Sequence, residues 1–64
     1  MKKEMNKFKR LRLLEGLTAK QVAERLDIPL KVYYYYESGT RSPNVKRLKA
    51  IADFYGVSME ELLD

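Results

Sequence analysis

The sequence contains no cysteine, no histidine and no tryptophan. Without cysteine it has neither disulfides nor thiolate metal sites, and without histidine it lacks the usual general base and the commonest metal ligand. No apolar run approaches the ~20 residues that cross a bilayer, and no apolar segment follows the basic start MKKEMNKFKR as in a signal peptide. We therefore expect a cytoplasmic protein that is not an enzyme and has no metal, cofactor, small-molecule ligand or membrane partner.

The chain has 64 residues, which is enough for one small domain spanning 1–64. All thirteen basic residues lie between Lys2 and Lys49 together with five acidic ones, so residues 1–52 carry +8, while four acidic residues give 53–64 a charge of −4. A basic body of this size indicates a polyanionic partner, nucleic acid ahead of an anionic membrane. By charge alone, a scattered, solvated positive surface fits equally well.

Turn-forming residues at Gly16, 27–29, Gly39 with Pro43, and Gly56 divide the chain into five short segments. Helix-capping patterns open three of them: Thr18 with Gln21, Asn44, and Ser58 with Glu61. Apolar residues recur at helical spacing in each. The expected apolar positions are Phe8, Leu11 and Leu14; Val22, Ala23 and Leu26; Val45, Leu48, Ile51, Ala52 and Tyr55; and Leu62 and Leu63.

The third segment, 29–38, contains a β-branched and aromatic run, Val32 followed by four tyrosines, whose propensity is that of a strand. A helix fits better, because Ile28, Val32 and Tyr36 repeat every four residues and Pro29 suits a first helical turn. A lone strand would also have no partner. We therefore predict an all-α, compact five-helix domain in which 18–26 and 29–38 form a helix-turn-helix.

In the residues of these helices and turns, the sequence resembles the phage-repressor and Cro-like helix-turn-helix family, also called the XRE family. The order and spacing of the matching residues are specific. They are Phe8-x-x-Leu11-Arg12, Gly16-Leu17-Thr18, Val22-Ala23-x-x-Leu26, Ile28, Tyr36-Glu37-x-Gly39, Arg41-x-Pro43, Leu48-x-x-Ile51-Ala52 and Gly56-Val57-Ser58-x-x-Glu61-Leu62-Leu63. The resemblance implies a DNA-binding domain of lambda-repressor-like fold whose third helix lies in the major groove, usually as a two-fold symmetric dimer.

Four positions depart from the family pattern. Ala19 stands where a phosphate-contacting or bracing glutamine is usual, and Asp27 replaces the turn glycine, although Asp tolerates a left-handed conformation. Pro29 replaces a Ser or Thr cap, and Tyr33 stands where the core usually has Ile or Val. We expect the turn to survive and the core to be shaped for a larger ring.

The resemblance also implies which residues would touch DNA. On a helix, Tyr33 and Tyr36 point inward while Tyr34 and Tyr35 point outward. The family's base-reading positions map onto Leu30, Lys31, Tyr34 and Tyr35. Lys31 can donate to guanine, Leu30 can pack on a thymine methyl, and the tyrosines can also reach phosphates and sugars. The expected phosphate contacts are Thr18, Lys20, Thr40, Arg41, Lys46 and Arg47.

Other residues have structural roles or two open interpretations. The resemblance makes Arg12 and Glu37 a charge pair that fixes the third helix. Each basic side chain taken singly fits a phosphate contact or a solvated charge. The basic residues near the start fit either a flexible arm that grips the DNA backbone, with 1–5 as its end, or a frayed terminus. They are Lys2, Lys3, Lys7, Lys9 and Arg10. Four apolar residues could form a dimer surface: Leu13, Leu14, Phe54 and Met59.

These observations predict a sequence-specific, double-stranded-DNA-binding transcriptional regulator that acts as a homodimer on an inverted-repeat operator. The alternative from another class is a helix-turn-helix module for protein contact, such as an antitoxin or adaptor. Its support is the tyrosine-rich third helix, because exposed tyrosines make good protein-binding hot spots. The steep salt dependence of DNA binding separates the two.

Overall fold

The computed structural model describes residues 6–63, which form five helices and no strand. They are α1 (Lys7–Leu14), α2 (Ala19–Leu26), α3 (Leu30–Ser38), α4 (Val45–Tyr55) and α5 (Met59–Leu63). This confirms the predicted all-α, five-helix architecture. The possible basic arm at 1–5 lies outside the described residues.

Side-chain caps begin the helices where the sequence predicts them. In the capping box of α2 the Thr18 hydroxyl accepts from the Gln21 amide at 3.1 Å, and the Gln21 side chain accepts from the Thr18 amide at 2.9 Å. Asn44 caps α4 by accepting from the Arg47 amide at 2.8 Å. Local hydrogen bonds thus satisfy backbone amides at these helix starts that have no acceptor within the helix.

The turn between α2 and α3 depends on a left-handed residue. Asp27 has φ +57° and ψ +46°, and the Ile28 amide donates to the Ala23 carbonyl at 2.9 Å, which closes the end of α2. Ala23 is buried at this corner. Asp27 therefore adopts the left-handed conformation for which glycine is usual at this position, and the turn is kept, as predicted.

α3 is a helix and not a strand, but it begins one residue later than predicted. Pro29 has φ −57° and ψ +137°, so it is the residue before the first turn, and it makes no side-chain capping bond. Its fixed φ is compatible with a helix, while its extended ψ places it outside. The loss of a side-chain acceptor at this position is the expected consequence of replacing Ser or Thr by Pro.

One apolar core unites the helices. Its buried members are Phe8, Ala19, Val22, Ala23, Ile28, Tyr33, Tyr36, Leu48, Ile51, Ala52, Tyr55 and Leu62. Around it, α3 packs against α1 and α2, and α4 packs against α2 and α5. α3 is therefore held along its inner side while its other side faces solvent.

Three residues predicted on apolar faces are instead largely exposed: Leu14, Val45 and Leu63. Leu14 follows Phe8 by six residues, which rotates it by about 120° away from the buried face. Val45 is the first residue of α4, and its side chain leans toward the helix N-terminus, off the core. Leu63 is turned by about 100° from buried Leu62.

Candidate nucleic-acid interface

The outer side of α3 carries an aliphatic, a cationic and an aromatic side chain. Leu30 is 37% exposed and Tyr34 52% exposed, and Lys31 is exposed between them. Tyr33 and Tyr36 are buried, as helical geometry predicts for residues three apart. Tyr35 is half-buried at the edge between the two sides.

An ion pair fixes α3 to α1. The Arg12 guanidinium donates to both carboxylate oxygens of Glu37, from Nε at 2.6 Å and from Nη2 at 3.0 Å, and its Nη1 donates to the Leu17 carbonyl at 3.1 Å. The two side chains are only 12% and 7% exposed. Hydrogen bonding to Glu37, outweighing the opposing effect of burial, raises the pKa of the Arg12 guanidinium. The two residues that the resemblance pairs are thus in bidentate contact, and this form sets direction as well as distance.

Tyr36 anchors α3 at a second point. Its carbonyl accepts from the Asn6 side-chain amide at 2.8 Å, and its hydroxyl accepts from Arg47 Nη1 at 3.1 Å. Arg47, predicted as a phosphate contact, thus has one of its five donors engaged within the fold. The arginine is half-buried, and it links the start of α4 to the inner side of α3.

A buried pair of hydroxyls completes the attachment of α3. The hydroxyl oxygens of Tyr33 and Tyr55 lie 3.2 Å apart, and the rings of Tyr33 and Tyr36 meet edge to face. Burial, followed by the bond to Tyr55, raises the pKa of Tyr33. Burial also raises the pKa of Tyr55. The sequence predicts Tyr55 in the core, but no local pattern in it predicts the hydrogen bond between the Tyr55 and Tyr33 hydroxyls.

The loop after α3 is built around one carbonyl group. The Tyr35 carbonyl accepts from the Thr40 amide at 3.0 Å, from the Arg41 amide at 3.3 Å and from the Ser38 hydroxyl at 3.1 Å. The Arg41 guanidinium carbon lies 5.2 Å from the centre of the Tyr35 ring, in a cation–π contact. Two predicted phosphate contacts, Thr40 and Arg41, are thus held beside α3.

The other predicted phosphate contacts lie on two helix starts. Thr18 and Lys20 are exposed at the beginning of α2, where the first amides of the helix have no acceptor within it. Lys46 is exposed in the first turn of α4 and lines a groove with Leu26 and Ile28, next to the α2–α3 turn. Both helix starts thus combine an exposed cation with free backbone amides, and both features favour anions.

Lys9 is a basic residue that sequence reasoning assigned only to the possible arm. It is exposed on α1 and lines an open depression with Tyr34, Tyr35 and Thr40. Only the packing of α1 on α3 brings it there, so no local pattern identifies it. A fourth cation, besides Lys31, Arg41 and Lys46, therefore lies close to the outer side of α3 or its adjoining turns.

Among residues 6–63 there is no group of three acidic side chains that could hold a metal ion. None of the helices in that range is long and apolar enough to span a membrane.

Replacing Glu37 by glutamine is expected to destabilise the domain by up to ~3 kcal/mol, because the Arg12 charge stays nearly buried without its counter-ion. Glu24→Gln makes the same chemical change at an exposed position of α2 and is expected to leave the melting temperature unchanged. Thermal melts followed by circular dichroism compare the two. Equal melting temperatures would mean that the ion pair contributes nothing to stability.

Comparison with known proteins places these features in context. Residues 8–62 match a family model described as helix-turn-helix. The chain is 34% identical over 58 residues to the cryptic phage CTXphi transcriptional repressor RstR of Vibrio cholerae, covering 91% of this chain and 52% of that protein. It is 39% identical over 57 residues to the HTH-type transcriptional activator BcrR of Enterococcus faecalis, covering 89% of this chain and 28% of that protein.

A third relative is of similar length. The chain is 33% identical over 57 residues to the uncharacterized HTH-type transcriptional regulator MJ0272 of Methanocaldococcus jannaschii, covering 89% of this chain and 86% of that protein. The chain thus spans about half of the first relative and about a quarter of the second. No solved structure matches it significantly.

Proposed function

The chain belongs to the helix-turn-helix family, and we propose that it is a sequence-specific, double-stranded-DNA-binding transcriptional regulator. The observation that carries the proposal is the position of α3. Its inner side is fixed by the Arg12–Glu37 pair and by buried Tyr33 and Tyr36, while its outer side is open and bordered by cations. A rigid helix with a free outer side suits insertion into the major groove, which is wide enough to admit it.

In this proposal the two sets of predicted DNA contacts have different tasks. Leu30, Lys31, Tyr34 and Tyr35 face base edges, and Tyr35 offers its ring edge and hydroxyl because Arg41 covers a face of the ring. Backbone phosphates are bound by a second set, namely Thr18, Lys20, Thr40, Arg41, Lys46 and Arg47. Phosphate contacts fix the register of the protein on DNA, and base contacts choose the sequence.

The proposal includes a homodimer on an inverted-repeat operator, with 1–64 as a single DNA-binding domain that acts in the cytoplasm. One α3 helix spans only a few base pairs, so two copies related by a two-fold axis give a longer site. Leu13 and Leu14 are exposed on α1, and Phe54 and Met59 are half-buried against the core. The exposed pair is the part of the proposed dimer surface that is free for contact with a second copy.

Operator selection from a random DNA pool, followed by a salt titration, tests this function. We expect enriched sites to be inverted repeats with half-site centres about one helical turn apart, ~34 Å. The logarithm of affinity should fall with the logarithm of salt concentration with a slope of several units, because about four to eight basic side chains neutralise phosphates in a dimer. A pool without enrichment, or a slope near zero, would contradict DNA recognition.

The protein-contact alternative is favoured by one observation, the 52% exposure of Tyr34 beside exposed Leu30. An aromatic protein interface depends weakly on salt, whereas DNA binding depends on it steeply. Sedimentation of the protein at low and high salt, with and without the selected DNA, separates the two functions. Failure of the selected DNA to form a complex even at low salt would favour the alternative, whereas a salt-independent dimer without DNA fits either function.

A further inference from the structure

The outer side of α3 is unusual in what it lacks. The helix reads LKVYYYYES and contains no asparagine, glutamine, arginine or aspartate. Its one carboxylate, Glu37, is nearly buried and bound to Arg12 by two hydrogen bonds. The Ser38 hydroxyl is engaged with the Tyr35 carbonyl at 3.1 Å and with the Thr40 hydroxyl at 2.8 Å. This leaves Leu30, Lys31 and Tyr34 as the principal exposed groups.

Base pairs are normally distinguished in the major groove by polar side chains. Asparagine and glutamine suit adenine, carboxylates suit cytosine, and lysine or arginine suits guanine. The C5-methyl group of thymine is the only apolar feature on a base edge, and apolar side chains contact it. Of these four modes, the outer side of α3 offers only the guanine contact, through Lys31, and the methyl contact. The hydroxyl groups of Tyr34 and Tyr35 can both donate and accept, so they do not by themselves distinguish one base from another.

We propose that this protein selects its DNA site mainly through C5-methyl groups of pyrimidines, bound by Leu30 and Tyr34, with one guanine bound by Lys31 in each half-site. The inference rests on the proposed function and adds to it the chemistry of the operator. Each half-site accordingly contains one or two thymines whose methyl groups are contacted, and one essential guanine.

The geometry of α3 suits this task. Leu30 and Tyr34 are four residues apart, so they lie on one face of the helix about 6 Å apart along its axis. That distance lets the two side chains contact methyl groups on base pairs that are near neighbours in the stack. Lys31 is one residue further round the helix from Leu30, and its flexible stem reaches an adjacent guanine.

Rigidity makes the apolar contacts selective. A methyl group is recognised by close packing, and close packing requires that the side chains are held in place. α3 is attached by the Arg12–Glu37 pair, the Tyr33–Tyr55 hydroxyl contact and the Arg47–Tyr36 bond. These contacts fix the helix from which Leu30 and Tyr34 project, so a base edge without the methyl group leaves a gap beside their side chains.

Two bases can supply this C5-methyl group, because 5-methylcytosine carries its methyl group on the same ring carbon as thymine. The experiment starts from the operator that the full chain selects from a random pool. In one series each thymine is replaced by deoxyuridine, which removes only the methyl group. In a second series the sensitive T·A pairs are replaced by C·G or by 5-methylcytosine·G.

We expect deoxyuridine to weaken binding at least about tenfold at one or two positions of each half-site and to have no effect elsewhere. At those positions replacement of T·A by C·G should weaken binding, and replacement by 5-methylcytosine·G should restore much of the lost affinity. If it restores none, the contact is specific for thymine and the general methyl rule is overturned. If no deoxyuridine substitution changes affinity on a selected operator, the whole inference is overturned while the proposed function stands.

Variants of the protein assign the methyl contacts. Leu30→Ala or Tyr34→Ala should bind thymine and deoxyuridine equally at the position that the wild-type side chain contacts. Lys31→Ala is the matched variant on the same side of α3, and it should keep its full sensitivity to deoxyuridine. Leu30 and Tyr34 are exposed, so the thermal melts of Leu30→Ala and Tyr34→Ala should match that of the wild type. Unchanged methyl sensitivity in both Leu30→Ala and Tyr34→Ala would overturn the assignment.

Discussion

Tyr33→Ala is expected to leave the domain largely unfolded at room temperature. The Tyr33 ring is fully buried, contacts the Tyr36 ring edge to face and places its hydroxyl 3.2 Å from that of Tyr55. Truncation of a buried aromatic ring costs about 3–5 kcal/mol through lost burial and the remaining cavity. A domain of this size rarely has more than ~3–5 kcal/mol of stability in total. Urea denaturation followed by circular dichroism measures the loss.

The neighbouring tyrosine is the matched control. Tyr34→Ala makes the same chemical change one residue along, at a side chain that is 52% exposed, and should alter the free energy of unfolding by less than ~1 kcal/mol. Similar losses for the two variants would contradict the helical assignment of inner and outer tyrosines. A strand would instead pair Tyr33 with Tyr35 and Tyr34 with Tyr36.

Tyr33→Phe separates the ring from its hydroxyl. This variant keeps the buried ring, leaves the Tyr55 hydroxyl without its partner and should cost about 1 kcal/mol. The folded state raises the pKa of Tyr33, so folding keeps a proton that the unfolded chain releases near pH 10. The stability that neutral Tyr33 contributes is fully present below about pH 10 and is lost as pH rises above it. The alkaline loss should be shallower in Tyr33→Phe.

For α3, the spacing of apolar residues was enough to predict both the helix and its buried side. The strand propensity of Val32 and the tyrosines was outweighed by the spacing of Ile28, Val32 and Tyr36, and the structure confirms a helix with Tyr33 and Tyr36 buried. Periodicity succeeded because buried side chains must lie on one face whatever their individual preference. It failed for Leu14, since three-residue steps drift around a helix by about 60° each.

The contacts that surround α3 were predictable only in part. Arg12 and Glu37 are 25 residues apart, and it is the family resemblance, not any local pattern, that predicts their pairing. The Tyr33–Tyr55 contact, the bond from Arg47 to Tyr36 and the approach of Lys9 have no such precedent in the motif. All three arise from the way separate helices pack, and a pattern read along one helix carries no information about its neighbours.

The same limit applies to the loop after α3. Its glycine and proline predict a turn, but not the bonds that the Tyr35 carbonyl accepts from Ser38, Thr40 and Arg41. Those bonds hold Arg41 over the Tyr35 ring, so a residue predicted to read bases also orients a cation proposed to bind phosphate. Such a double role follows from three-dimensional proximity alone. Lys31, by contrast, has a single proposed role on the outer side of α3, which is to donate a hydrogen bond to guanine.

Lys31→Ala is expected to weaken operator binding strongly, because it removes the proposed guanine contact from both half-sites. A good contact between a side chain and a base is worth ~1–3 kcal/mol, and a two-fold symmetric complex loses it twice. At ~1.4 kcal/mol for each factor of ten, affinity should fall between about thirtyfold and about twenty-thousandfold. Lys31 is exposed, so stability should be unchanged. Fluorescence anisotropy with the selected operator measures the loss.

A second lysine shows whether the loss is specific or only electrostatic. Lys49→Ala removes the same charge from α4, where Lys49 is 68% exposed and lies 3.6 Å from Asp53 in a surface ion pair of little energetic value. It should weaken binding only slightly, and equally for all sequences. Lys31→Ala should instead weaken binding to the operator far more than binding to random DNA, because non-specific binding depends on phosphates. Equal losses on both DNAs would make Lys31 a phosphate contact and remove the guanine from the proposed half-site.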